Sequence, residues 1–531
     1  MLIKFIVSLL PLMVYMYLKT KKSFHMLQQN WYNDGNRYIK WINKNLKKIF
    51  LNIELLFILF FIIKYLDSKL GMILVVIFYV ILSLKYLRNS KLEQTKKPLV
   101  FTKRVKRLLV TTFILYIIPI VVFGLIFKET NLYIYYLIIG LLIYLNYYVV
   151  YIANIINKPI EKMINNGFKK KAIKKLESMN NLKVIGITGS YGKTSSKNIL
   201  NDILNVKYNS LPTPKNFNTP VGLIITINNY LDKFTDLFIA EMGAFKQGEI
   251  KELCDLVHPT YGILTTIGTA HLDSFGSREN IQKGKFELIE SLPSDGIGIL
   301  NADDPYQVSY KLKNKVKIVW IGIDNDADVK ASNIKLTSDG TTFDVTFKGD
   351  SKKYKFETKL LGKANVYNIL AGIALGYNLG ISVPKLIMGV RKVTPVEHRL
   401  ELKKMGSINI IDDAYNSNPV GSKMAIDVLN MMPGKKIIVT PGMIEMGNEE
   451  YEINKTFGNQ IADVCDEVIL VGQKQTKPIY DGLIEKKYPK SKIHILDDVK
   501  LAFPLFNRLA DKETYVLLEN DLPDIFNEDM K

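Results

Sequence analysis

The sequence predicts a multi-pass α-helical membrane region followed by an α/β half, in which a domain with a phosphate loop and a mostly parallel sheet precedes a smaller α/β domain. Three observations carry this: five apolar stretches lie before residue 157, short β-rich runs alternate with helical ones from Leu182, and charge is unevenly divided between the halves. Up to Lys183 there are 29 Lys or Arg against 7 Asp or Glu, whereas the remainder holds 42 against 44. The formal charge of +20 therefore belongs to the apolar half. There it reads as a membrane-surface signature, and the near-neutral remainder gives no electrostatic footprint for nucleic acid. At 531 residues the chain needs more than one core. Its two cysteines, Cys254 and Cys465, exclude a disulfide framework or a Cys-rich metal site and suit a reducing compartment.

The apolar stretches are Leu2 to Leu18, Ile49 to Ile63, Leu70 to Leu84, Leu108 to Phe127 and Leu132 to Ile152. Several approach the roughly 20 residues that a spanning helix requires. The second and third are shorter, so they read either as spans or as a buried or re-entrant hairpin, and Glu54 would be costly facing lipid. The first lacks a small-residue cleavage site and reads as a retained anchor. The segments 19–48 and 85–107 carry eight and nine Lys or Arg, while the turns near Asp67 and Glu129 carry almost none. The positive-inside rule then places five spans in the cell membrane (residues 1–157), both basic loops inside, and the catalytic domains in the cytoplasm. Tyr133, Tyr135, Tyr136, Tyr147 and Tyr148 are expected in interfacial belts.

Residues 158–181, rich in Lys and Asn, are expected to form a basic linker. Strands are expected at Lys183 to Thr188, Leu237 to Glu241, Tyr261 to Ile267, Gly296 to Leu300 and Val316 to Ile321, with antiparallel hairpins between Asp328 and Leu361 about a Ser338-Asp339-Gly340 turn. A helix from Ala364 to Leu379 completes a central domain over 182–395. A second alternation, with strands at Ile408 to Ile411, Lys436 to Thr440, Glu467 to Val471 and Tyr515 to Leu518, makes a smaller Rossmann-like domain over 396–531.

The sharpest local signal is Gly186-Ile-Thr-Gly-Ser-Tyr-Gly-Lys-Thr194 between a strand and a helix. Its glycines turn backbone N–H groups toward phosphate, Lys193 adds a fixed positive charge, and the Thr194 hydroxyl can ligate Mg²⁺. It departs from the usual spacing at Ile187, where a glycine is customary. Glu241 ends an apolar strand, which sets its carboxylate at the sheet rim near that loop.

These residues resemble the Mur ligases, whose phosphate loop reads Thr-Gly-x-x-Gly-Lys-Thr, here Thr188 to Thr194. The match continues through Asn216-Phe-Asn-Thr-Pro220, Glu241-Met-Gly-Ala244 with Gly248-Glu249-Ile250, Ala270-His-Leu-Asp-Ser-Phe-Gly276, Lys285, Leu300-Asn-Ala-Asp-Asp-Pro305, Glu397-His-Arg399 and Asp412-Asp-Ala-Tyr-Asn-Ser-Asn418. The branch most similar is MurF, which joins a dipeptide to a nucleotide-linked muramoyl peptide. The resemblance implies ATP bound by Gly189, Ser190, Gly192, Lys193, Thr194, Ser195, Asn368, Arg399 and Asp413. It implies Mg²⁺ held by Thr194, Glu241, His271 and Lys285, the last as its carbamate, with Lys193, Lys285, Glu241 and His271 serving catalysis. Asn216, Asn218, Thr219, Tyr415, Asn416 and Asn418 would shape the substrate side.

The expected reaction is ATP-dependent amide-bond formation through an acyl phosphate, joining a cell-wall peptide precursor to an amino acid or dipeptide, beside the lipid bilayer and with envelope-synthesis membrane partners. A polyglutamate- or pseudomurein-type ligase would use the same core. A nucleotide-binding membrane scaffold is opposed by the presence of Glu241, His271 and Lys285, and an ATP-driven transporter by the few intramembrane charges. Two departures from the family stand out. Membrane segments replace its UDP-holding N-terminal domain, and Leu518-Glu-Asn-Asp-Leu-Pro-Asp524 replaces the Lys-Gly-Ser-Arg stretch of MurF. The second predicts an acidic loop that meets an amine or a cationic amino acid.

Overall fold

A computed structural model of the chain describes residues 2–92, 98–127, 131–337, 340–406, 408–414, 417–444 and 446–521, and these divide into two units between Gly167 and Phe168. In the first unit, two helices among the described residues are long and apolar enough to cross a membrane, Lys69–Ser90 and Lys103–Phe127. The other three expected spans are not met by a helix of that kind among the described residues, although the last counts as a third crossing if its bent pair is one broken span. Residues 2–18 begin a helix, Leu2–Gln29, that carries Pro11 and runs on through the basic residues after Leu18. The stretch from Ile49 enters a 3-10 segment, Ile53–Tyr65, and the stretch from Leu132 is broken by a 70° bend between Leu132–Tyr144 and Asn146–Glu177.

At the bend one side chain takes up a carbonyl that the helix leaves unpaired, and another ties neighbouring helices together. Lys19 Nζ donates to the Tyr144 carbonyl at 3.1 Å. Buried Asn146 donates to Thr20 and to the Tyr116 hydroxyl, each at 2.7 Å. Glu54 meets Lys19 and Tyr15 and so does not face lipid as a bare charge. Tyr135, Tyr136 and Tyr147, expected in belts, are buried instead, because a polar core gives phenols partners such as Ser8, whose hydroxyl lies 2.8 Å from that of Tyr136. The expected linker is helical through Glu177.

The second unit opens on a nine-stranded sheet among the described residues: β1 Lys183–Thr188, β2 Ser210–Pro212, β3 Leu237–Glu241, β4 Tyr261–Leu264, β5 Ile297–Asn301, β6 Lys317–Gly322, β7 Val329–Thr337, β8 Gly340–Phe347 and β9 Tyr354–Thr358. The order is β2-β3-β1-β4-β5-β6-β7-β8-β9. It is parallel through β7, with β8 and β9 added antiparallel. Because side chains alternate across a strand, Ile185, Ile187, Leu237 and Ile239 join one core with the helices Lys193–Leu204 and Lys363–Asn378. Val184, Phe238 and Ala240 join another with the helices Pro220–Asn229, Glu249–Val257 and Arg278–Glu290. Burial on both faces explains why these strands are continuously apolar.

The second sheet contains β10 Glu401–Met405, β11 Ile408–Asp413, β12 Lys435–Thr440, β13 Glu467–Val471, β14 Ile493–Leu496 and β15 Thr514–Glu519, ordered β10-β11-β15-β12-β13-β14. All pairs are parallel except β10 with β11. Ile411 and Ile438 face one core, and Ile410, Ile437 and Val439 the other.

Candidate active site

Parallel pairing of β1 with β3 and β4 collects the loops at their C-terminal ends into one rim. The phosphate loop leaves β1 with Gly189 at φ +149° and Gly192 at φ +79°. A Cβ on Gly189 would stand 1.9 Å from the Thr265 hydroxyl and 3.2 Å from the Thr266 amide nitrogen, so the turn needs glycine. Ser190 N–H donates to the Thr266 carbonyl at 2.7 Å, and the Thr265 hydroxyl donates to the Tyr191 carbonyl at 2.6 Å. Neither Thr265 nor Tyr191 was singled out by motif, since both act as scaffolding for the loop.

Lys193 Nζ folds back onto the carbonyls of Gly189 and Ser190, at 2.7 and 3.2 Å. Burial pushes its pKa down to about 8, Glu241 opposing and Arg399 assisting. Thr194 follows it in the first turn of the helix, with Ser195 next. The Thr194 hydroxyl donates to Glu241 Oε1 at 3.1 Å, and Asn218 Nδ2 donates to the same oxygen at 3.2 Å. Lys197, absent from the sequence expectations, is buried and stands 2.9 Å from Glu241 Oε2. Its position one helical turn after Lys193 was the available signal. Asn368 packs on the loop: its Oδ1 would lie 3.5 Å from a Cβ on Gly192.

Lys285 is buried in the helix Arg278–Glu290. Its Nζ donates to the Ala244 carbonyl at 3.4 Å and sits 5.3 Å from the centre of the Phe275 ring. Burial, then the charge of Lys193, holds its pKa well below the ordinary lysine value, which favours the neutral amine that carbamate formation needs. His271 adopts φ +62° at the start of the short helix Leu272–Phe275 and packs its ring 4.4 Å from that of Phe245. Among the described residues no three His, Cys, Asp or Glu side chains are grouped to hold a metal.

The expected substrate residues divide. Asn218 reaches Glu241, whereas Asn216 is exposed in the preceding turn. The Thr219 hydroxyl caps the helix Pro220–Asn229 by accepting from Gly222 N–H at 3.3 Å, and the Asn418 side chain caps the helix Pro419–Met431 by accepting from Gly421 N–H at 2.9 Å. Tyr415 and Asn416 lie outside the described residues. Arg399, half-buried before β10, lowers the pKa of both Lys193 and Lys197 and opposes the upward shift at Asp413. Its charge is thus felt on the phosphate-loop side and in the C-terminal domain. Glu519, expected on an exposed acidic loop, is instead wholly buried. The reason is local: it ends β15, a strand enclosed between β11 and β12, and two serine hydroxyls turn toward it.

Residues 187–376 match the Mur ligase middle domain, and residues 398–519 match the Mur ligase, glutamate ligase domain. A UDP-N-acetylmuramoyl-tripeptide--D-alanyl-D-alanine ligase of Buchnera aphidicola subsp. Acyrthosiphon pisum is 31% identical over 342 residues, which are 63% of this chain and 73% of that one. The chain belongs to the Mur ligase family. The ligase of the same description from Bacillus subtilis is 35% identical over 296 residues, 55% of this chain and 63% of its own length, so this Mur ligase homologue spans less than two thirds of that relative. Among solved structures, MurF from Thermotoga maritima in complex with ADP superposes with a TM-score of 0.60 at 27% identity, covering 67% of this chain and 80% of that one.

Proposed function

We propose that this Mur ligase homologue is a membrane-held, ATP-dependent ligase that forms an amide bond on a cell-wall peptide precursor in the manner of MurF. The observation that carries the reading is the carboxylate of Glu241 beside a phosphate loop, 3.1 Å from the Thr194 hydroxyl. Mg²⁺ suits that pair of hard oxygen donors. Glu241 Oε2 is buried and accepts no aligned hydrogen bond, although Lys197 stands close. When bound, the ion neutralises charge on the phosphate oxygens. His271 and Lys285, the latter as its carbamate, are the residues proposed for a second ion.

In this reading Lys193 exchanges the Gly189 and Ser190 carbonyls for nucleotide phosphate. Ser190, Ser195 and the loop amides line that phosphate, Asn368 faces the base, and Arg399 and Asp413 bring the C-terminal domain onto the nucleotide. A carboxylate oxygen of the acid attacks the terminal phosphorus of ATP, and ADP leaves. The amine of an amino acid or dipeptide then attacks the acyl carbon, phosphate departs with the former acid oxygen, and the new amide loses a proton. Closure of the two soluble domains excludes water that would otherwise hydrolyse the acyl phosphate. The two apolar helices support placement of the first unit in the cell membrane, multi-pass, with the catalytic half in the cytoplasm and membrane partners in envelope synthesis alongside.

The test supplies the full chain in lipid with ATP, an amine panel and ¹⁸O-labelled wall-precursor acid. One labelled oxygen per amide formed is expected in released phosphate. Product formed with unlabelled phosphate would remove the acyl-phosphate route, and no product with any pairing would remove the ligase reading.

A further inference from the structure

Two acidic residues end adjacent strands at the C-terminal rim of the second sheet. Asp413 closes β11, Glu519 closes β15, and they are register partners in a parallel pair, so both side chains leave the same face. As register neighbours their carboxyls come within reach of one another, and the buried Glu519 Oε2 takes no other hydrogen bond. Two carboxylates so placed cannot both be charged without strong repulsion, and one shared proton makes the contact attractive.

The surroundings of the pair give that proton a purpose. Glu519 Oε1 accepts from the hydroxyls of Ser417 and Ser422 at 2.7 and 2.8 Å, fastening Ser417 and the start of the helix Pro419–Met431. Asp413 Oδ1 accepts from Leu400 N–H at 3.1 Å, directly after Arg399. Asn520 completes the tie: its Oδ1 accepts from Ser417 N–H at 3.2 Å, and its Nδ2 donates to the Gly442 carbonyl at 2.6 Å. The other charged groups facing Asp413 are Arg399 and Asp412. Asp412 is itself engaged by His398 and Lys403, each at 2.7 Å.

We propose that Glu519 is a positioning residue for the nucleotide clamp, which through one proton shared with Asp413 ties the Arg399 loop and the start of the helix Pro419–Met431 to the end of β15. The inference rests on the reading of Arg399 and Asp413 as nucleotide contacts, and it gives Glu519 a role that touches no substrate. Burial, then the neighbouring Asp413, raises the Glu519 pKa well above the ordinary carboxylate value, and burial pushes Asp413 up to about 6 against the pull of Arg399. The pair therefore favours holding a proton, and as pH rises and that proton is surrendered, repulsion loosens the clamp.

The experiment measures ADP affinity of the full chain in lipid between pH 6.5 and 9.5, for the unaltered protein, Glu519→Gln and Glu519→Ala. Glutamine keeps an oxygen for the serines and a permanent N–H for Asp413. It is expected to bind like the unaltered chain at neutral pH and to lose less affinity as pH rises, the two diverging by about tenfold, the equivalent of one pKa unit. Alanine is expected to bind about tenfold more weakly already at neutral pH. Glu519→Gln tracking the unaltered chain at every pH would overturn the shared-proton role, as would Glu519→Gln losing affinity at neutral pH. Should the alanine variant not fold, the glutamine comparison still decides. Failure of the unaltered chain to bind ADP would overturn the nucleotide reading itself, and the positioning role with it.

Discussion

Lys193 and Lys285 lie close enough for the charge of one to act on the other, and desolvation lowers the pKa of each. Lys193 has its pKa pushed down to about 8, so in the empty site it begins to lose its charge within a mildly alkaline range. Below that value it meets phosphate already protonated. Above it, nucleotide binding must first take up a proton, so affinity falls as pH rises through about 8, approaching tenfold per unit. Titration with ADP from pH 6.5 to 10 should reveal this bend, and Lys193→Arg, which stays charged, should show a shallower one, what remains coming from the Glu519–Asp413 pair. An identical bend in the arginine variant would assign the proton elsewhere. Lys285, held well toward its neutral amine, is in the proposed reading the nucleophile for carbon dioxide. With ¹³C-bicarbonate, a carbamate resonance is expected in the unaltered chain and not in Lys285→Ala. Turnover in that variant should fall by roughly 10²-fold or more, on the scale of losing one electrostatic group from an active site, without recovery on adding bicarbonate. Retained turnover would end the carbamate assignment.

At the scale of elements, two residues expected on the substrate side, Thr219 and Asn418, also cap helices. The Thr219 oxygen accepts from Gly222 N–H at the first turn of Pro220–Asn229. Thr219→Ala should therefore lower stability by about 1 kcal/mol, as cap deletions do, while Thr219→Ser keeps both stability and activity. A serine variant that folds normally but does not turn over would reassign Thr219 to substrate. Strands β1 and β3 were legible to the residue, because strands covered on both faces are written as unbroken apolar runs. The polar Glu401–Met405 and the three-residue Ser210–Pro212 were not, because edge strands need only backbone pairing and carry no apolar signature. The phosphate loop was legible from the spacing of its glycines, lysine and threonine, and Glu241 from its place at the end of an apolar strand. Lys197 was hidden, since a lysine in a helix is ordinarily solvated and only the fold shows it facing Glu241. Glu519 was misplaced because adjacent acids in sequence read as a charged surface, whereas the strand end carries the first of them inward. The first unit was the least legible part: hydropathy counts apolar residues but does not register that Lys19 can take over a backbone carbonyl, or that Asn146 can tie two neighbouring helices beside the bend.

For the whole molecule, the division of charge makes a claim about sidedness that the soluble half can help to test. Both native thiols are buried, and burial raises the pKa of each, Cys254 to about 12. Neither is a ready target for thiolate-directed reagents, because the reactive form is scarce and shielded. A cysteine introduced on an exposed basic residue should then report against a quiet background. Lys40 and Lys103 suit this purpose, being exposed and lying within the two basic segments. If positive charge is retained on the cytoplasmic face, Lys40→Cys and Lys103→Cys should resist a membrane-impermeant maleimide in intact cells and react once the inner face is opened. The chain should also stay with the membrane fraction through alkaline carbonate and high salt, which strip proteins held by surface charge alone. Labelling of both positions in intact cells would invert the topology and remove the catalytic half from its ATP supply. Release by carbonate would instead reduce the apolar helices to a peripheral attachment, leaving the ligase chemistry to stand without its membrane.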